Sequence, residues 1–160
     1  MTELVQQDTF GVGISEAKET CLYATFSLGE EIFGVEAVQV QEIVPFQKMT
    51  PVPHSPDYIL GLINLRGQIF TALDLRYRLT GEHIELDEES SLNFILKTPS
   101  GVCSLIVDDV GDVLDIESGR MEAPPETMKP RMREYVRQIC KMDDRLLCIL
   151  DIEKIVSIEK

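Results

Sequence analysis

Residues 22–43, LYATFSLGEEIFGVEAVQVQEI, are echoed by residues 92–113, LNFILKTPSGVCSLIVDDVGDV, and this pairing decides the fold. Val35 falls opposite Leu105, Ala37 opposite Val107, Val40 opposite Val110 and Ile43 opposite Val113. A strand-to-helix unit closes each copy, QIFTALDL from Gln68 to Leu75 and RLLCILDI from Arg145 to Ile152, with Asp74 matching Asp151. Such doubling argues for two similar small lobes, and for a body built to hold partners on its surfaces and at its seam.

Local patterning supports short strands. Leu22, Ala24, Phe26 and Leu28 alternate with Tyr23, Thr25 and Ser27, the period of a half-buried strand, and GEE turns into a return strand from Ile32 to Val35. VEAVQVQEIV is expected to make a short helical turn over Glu36 to Val40 and then a strand ending near Pro45. The proline-rich MTPVPHSPDY is extended chain and turns, after which Ser55 is expected to cap a short helix, opened by Pro56, that runs to about Leu60. Arg66-Gly67 centres a hairpin, Asp74 caps a brief helix through Arg78, and Gly81 to Ser91 is an acidic connector. The second copy turns at TPSG, continues through DDVGDVLDI as strand, and crosses over in the irregular RMEAPPETMKPRMR. A last strand pair, about Glu134 to Lys141 and Arg145 to Leu150, leads to a helix capped by Asp151. Two small closed barrels satisfy so many short strands, because closure removes exposed edges.

A chain of 160 residues buries about two-thirds of its unfolded surface, enough for one unit or two interdependent lobes. With 15 Lys and Arg against 28 Asp and Glu, the net charge of -13 repels phosphates and anionic lipid heads, which argues against nucleic-acid binding. No apolar run approaches the length of a spanning helix, so the expectation is a soluble, cytoplasmic protein without direct membrane insertion. Cys21, Cys103, Cys140 and Cys148 have no C-x-x-C spacing, and three of them fall in apolar strand-like runs, as buried free thiols do.

The usual chemical signatures are missing from the sequence. It has no phosphate-binding loop, no nucleophile elbow and no H-E-x-x-H, while His54 and His83 have no nucleophile beside them. Asp108-Asp109 and Asp143-Asp144 read as turn residues rather than as a cation site. No cofactor or metal is assigned. Arg66 stands out because a tight turn holds its guanidinium on a short lever beside Asn64 and Gly67. Its planar fork suits a partner's carboxylate or carbonyls, a salt bridge fixing the seam, or plain exposure to water. The face of Val40, Glu42 and Val44, ending at Pro45 and Phe46, either offers a groove to a partner helix or lies wholly within a barrel wall.

Three stretches, LGEEIFGVEAVQVQEI, PDYILGLINLRGQIFTALDLR and DDRLLCILDIEKIV, resemble the CheW-like coupling proteins of bacterial chemotaxis over about residues 21–157. The resemblance implies an all-β fold of two packed five-stranded SH3-like barrels with short helices. We expect a flexible tail over residues 1–19 and one domain over 20–157, with lobes at about 30–85 and 90–150 and terminal segments exchanged between them. The family implies a non-enzymatic adaptor that joins the cytoplasmic tips of methyl-accepting receptors to the regulatory domain of a histidine kinase. The resemblance also implies rings in which kinase and adaptor domains alternate through lobe-to-lobe contacts, with other adaptor copies as further partners, and a groove between lobes that takes the receptor's helical hairpin. On this pattern Val40, Glu42, Gly61, Asn64, Arg66 and Gly67 are the expected receptor- or kinase-binding residues. A paralogue serving surface motility is the alternative within the family.

This chain departs from the family pattern in places. A proline common after the first hairpin is Thr71 here, which would loosen or re-pair that strand, and a glycine common before the late hairpin is Gln138, with Cys140 near another small-residue position.

Overall fold

The computed structural model describes residues 19–157, so the expected tail lies, apart from Glu19, outside the described residues. The opening hairpin forms as the alternation requires: β1 (Thr20–Leu28) pairs with β2 (Glu31–Glu36) across a turn in which Gly29 takes a φ of +61°. A single 3-10 turn at Ala37–Gln39 then leads into β3 (Val40–Pro45), as expected. The hairpin β4 (Ile59–Leu65) and β5 (Gln68–Leu73) runs into α1 (Leu75–Thr80). The second copy follows with β6 (Leu92–Thr98), β7 (Gly101–Val107) and β8 (Asp109–Glu117). A 3-10 turn at Ser118–Arg120, the two-residue β9 (Met121–Glu122) and α2 (Pro130–Tyr135) form the crossover. The chain closes with β10 (Val136–Lys141), β11 (Leu146–Leu150) and α3 (Ile152–Val156).

The strands make a sheet ordered β3-β6-β7-β5-β4 and another ordered β8-β1-β2-β11-β10-β9. Each strand of the first has a counterpart in the second: β6-β7 matches β1-β2, β3 matches β8, and β4-β5 matches β10-β11. Even the pairings across copies correspond, since β5 runs parallel to β7 and β11 parallel to β2. Each copy therefore donates its first hairpin to the other copy's sheet. This corrects the lobe boundaries expected from sequence. Residues 92–107 belong with strands 40–73, and residues 20–36 belong with 109–150. The reason is the third strand of each repeat, which crosses to the opposite sheet where a hairpin would have stayed.

Both sheets are rolled. Laid flat, the outer strands of the first sheet would stand about 19 Å apart, four spacings of some 4.8 Å. Yet the short run after Pro45 already reaches the far edge at Thr50, whose N–H donates to Leu62 O at 2.8 Å and whose carbonyl accepts from Leu62 N. In the second sheet the three residues of the Ser118–Arg120 turn join edge strand β8 to β9 on the opposite edge. These are the expected packed barrels, the second carrying β9 as a sixth strand.

The barrels share their largest core. Phe26 of β1 lies 5.0 Å from Phe94 of β6, ring to ring, and Val35, Leu96, Leu105, Ile139 and Leu150 close around them. A smaller core inside the second barrel holds Tyr23, Ile116, Cys140, Leu147 and Ile149. Polar groups are satisfied where they are buried: Asn93 Nδ2 donates to Ser104 Oγ at 2.9 Å while its carbonyl oxygen accepts from Gln47 N at 2.8 Å.

Other expectations resolve locally. Asp74 and Asp151 cap α1 and α3, accepting from Tyr77 N at 3.0 Å and Lys154 N at 3.2 Å. The helix expected from Pro56 to Leu60 does not form, because pairing of Ile59 with Leu73 commits that residue to β4 and leaves one turn, with Ile59 N donating to Pro56 O. Ser55 instead donates its hydroxyl to Val52 O. Within the crossover, Pro130 at the first helical turn starts α2, so β10 begins at Val136. Thr71 does not re-pair β5, which stays in register with Leu62 on one side and Cys103 on the other. Gln138 follows a register shift that matches the one before Gly61. Cys103, Cys140 and Cys148 are buried, Cys21 is partly exposed, and all four are free.

Candidate functional site

The β4-β5 hairpin turns through only two residues, a length served by turns with left-handed backbone at the first or at both of them. Arg66 adopts φ +53° and Gly67 φ +84°, and Asn64 Oδ1 steadies the turn by accepting from Gly67 N at 3.1 Å. Arg66 is thereby projected from the barrel end, where Nη2 donates to Glu42 Oε2 of β3. The side chains are 66% and 27% exposed, which leaves most of the guanidinium open to water or to a partner. Among the described residues Glu42 takes one of the guanidinium's five N–H donors, so the fork can hold Glu42 and still meet acceptors from outside.

Beside the turn is an apolar flank. The alternation of β5 buries Phe70 and turns Ile69 outward, 65% exposed, directly opposite Asn64. Leu62, Asn64 and Ile69 wall a recess of about 440 Å³ whose other side is Gln47, Lys48 and Thr50. The hairpin tip therefore sets an exposed guanidinium next to an exposed branched apolar side chain. Sequence reading missed Ile69 as a surface residue. The alternation was visible, but which face of the strand looked outward was not.

Of the six expected residues, the structure brings Glu42, Asn64, Arg66 and Gly67 together at this end. Val40 and Gly61 do not join them. Val40 packs against the core, as does Val44, because that face of β3 points into the barrel and leaves Ile43 as the exposed apolar residue. Gly61 is buried at φ +152°, where a Cβ would lie 2.5 Å from Thr50 O, so its bare backbone is what admits the closing segment at Thr50.

A larger recess, about 600 Å³, lies at a seam where α1, which continues the first sheet's closing hairpin, meets the crossover and strands β2 and β11 of the second sheet. Leu79, Met128, Met132 and Leu146 line it, with Glu30, Glu31 and Glu82 among its acidic walls and Lys129, Arg131 and Arg145 among its basic ones. None of the six expected residues borders it. The seam and the Arg66 end are separate surfaces. Among the described residues no cluster of His, Cys, Asp and Glu could hold a metal ion, and no helix is long and apolar enough to cross a membrane.

A family model for the CheW-like domain matches residues 22–160. The chain belongs to the CheW-like family. The chemotaxis protein CheW of Klebsiella aerogenes is 32% identical over 138 residues, covering 86% of this chain and 82% of that protein. CheW of Treponema pallidum is 31% identical, covering 83% of this chain and 80% of its own. The crystal structure of the scaffolding protein TtCheW from Thermoanaerobacter tengcongensis matches with a TM-score of 0.72 at 32% identity, covering 83% of this chain and 90% of that one. Protein FrzA of Myxococcus xanthus is more distant, 26% identical over 69% of each chain. The CheW-like relatives support the role of a chemotaxis adaptor or scaffold.

Proposed function

We propose that this protein is a non-enzymatic coupling adaptor with two partner surfaces. The barrel end at Glu42 and Arg66 docks the regulatory domain of a histidine kinase, and the seam recess takes the helical hairpin at a methyl-accepting receptor's cytoplasmic tip. The protein then works in the cytoplasm, at receptor arrays. One observation carries the reading: the two surfaces are physically distinct, one a charged hairpin tip with Ile69 beside it, the other an apolar cleft with charged rims. An adaptor needs that separation, because it must hold both partners at once.

Apolar burial supplies most of the affinity at each surface, while Glu42 and Arg66 set register. Removing one member of a desolvated, hydrogen-bonded charge pair costs about 2–5 kcal/mol of binding. Co-sedimentation with receptor-bearing membranes and kinase tests the assignment. Arg66→Ala and Glu42→Ala are expected to pellet with receptor but recruit and activate less kinase, and Met132→Asp is expected to do the reverse. Full kinase recruitment and activation by both barrel-end variants would remove their assigned role. Equal loss of both partners in every variant would point to misfolding.

A further inference from the structure

Helices α1 and α3 occupy matching places, one after each closing hairpin. Asp74 N donates to Tyr58 O and Asp151 N to Tyr135 O, both at 2.8 Å, so Tyr58 corresponds to Tyr135 and, by the same spacing, Arg78 corresponds to Ile155. These last two positions meet. Arg78 is 4% exposed, and its Nε donates to Ile155 O at 3.1 Å, its Nη1 to Tyr135 Oη at 3.1 Å and its Nη2 to Ser157 O. The guanidinium lies 3.7 Å above the Tyr58 ring and 5.3 Å from the Tyr135 ring. The two equivalent tyrosines thus bracket a cation close to the axis that relates the repeats. An arginine at both positions would set two like charges face to face, whereas Ile155 here offers its carbonyl to the single cation.

A reciprocal tie comes from the other repeat. Arg131 of α2 donates from Nε to Arg78 O at 3.1 Å and from Nη2 to Tyr77 O at 2.8 Å, which satisfies carbonyls at the end of α1. Arg78 performs the same service for α3. Each repeat's helix is therefore finished by an arginine of the other.

We propose that Arg78 is a positioning residue, the joint that fixes one barrel against the other and couples the two partner surfaces. The path is continuous. Strand β5 follows the turn that carries Arg66 and ends at Leu73, next to Asp74, which caps α1. That helix presents Leu79 and Thr80 to the seam recess and sends Arg78 across to α3. The coupling half of the proposal rests on the functional reading above. The joint itself does not.

The test uses the full chain, free and with partners. In Arg78→Met, amide exchange over residues 152–157 is expected to accelerate at least about tenfold, as loss of charge-assisted hydrogen bonds requires, while strands β6 and β7 keep wild-type protection. Arg78→Lys, which retains the charge but not the three-way fork, should show the same local pattern and serves if the Met variant does not fold. Receptor and kinase, each added alone, should bind either variant within about twofold of wild type, and the effect of one partner on the affinity for the other should vanish. Unchanged exchange at 152–157, or uniform loosening of every strand, would overturn the joint. Local loosening with coupling intact would overturn the coupling role alone. Failure of both partners to bind even the wild-type protein would sink the functional reading and leave the joint standing.

Discussion

Arg66 and Glu42 sit on opposite margins of a single five-stranded sheet and meet in an ion pair, which is possible only because the sheet is rolled. Both remain partly exposed, and exposed pairs contribute little to stability, about 0.2–1 kcal/mol. A double-mutant cycle of Glu42→Ala and Arg66→Ala followed by urea unfolding should return a coupling energy in that range. Three kcal/mol or more would make the pair a fastener of the barrel first, and any binding loss would then need another explanation.

The two glycines of the expected site should behave differently. Gly61→Ala drives a Cβ to 2.5 Å from Thr50 O in a backbone conformation that alanine resists, and a loss of about 2–4 kcal/mol is expected. Gly67→Ala meets open space at φ +84° and should cost only about 1 kcal/mol. Thermal unfolding of the pair checks the ordering. A reversed order would mean that Thr50 yields freely and does not seal the barrel.

Asn93 is fully buried and joins Ser104 to the Gln47 amide. Asn93→Leu strands both partners and should cost about 2–3 kcal/mol. Adding Ser104→Ala should cost less than the two single effects combined, because one of the stranded groups is then gone. Strict additivity in denaturant titrations would show that the bond is not formed.

The buried thiols give a pH signature. Burial pushes Cys103 up to about 12, and burial together with the nearby Glu31 carboxylate takes Cys148 to about 11. The folded chain holds these protons to higher pH than the unfolded chain, whose thiols titrate near 8.5. Their contribution to stability is therefore whole below about pH 8 and declines as pH rises through 9 toward 11. Replacing Cys103 with alanine should flatten that decline. In native protein at pH 8, Cys21 should react with a thiol reagent well before the other three, and four equally fast thiols would contradict the burial described here.

Much of this was legible in the sequence, and what was not has identifiable causes. The doubled strand pattern exposed the repeat, and short polar side chains at Asp74 and Asp151 marked both helix starts, because these signals are local. Which sheet a hairpin joins is not local. Residues 20–36 and 92–107 exchange places through a crossover that no composition or spacing records. The same limit applies at the site. Arg66 is visible from its turn and Glu42 from the family pattern, but inward and outward faces of β3 and β5 are set by barrel curvature, so the sequence leaves the Val40 face open between groove and barrel wall and does not single out Ile69. Arg78 gave no sign at all, since a buried arginine and an exposed one look alike within LDLRYRL.

Exchanging the charges, Glu42→Arg with Arg66→Glu, keeps an internal ion pair while reversing what the barrel end presents to a partner. The affinity of the purified kinase regulatory domain for this protein tests the account most directly. It should fall at least about tenfold, roughly 1.4 kcal/mol, with folding stability near wild type and receptor co-sedimentation retained. Wild-type kinase affinity in the exchanged protein would show that Glu42 and Arg66 serve the barrel alone, and the partner surface would have to be sought elsewhere.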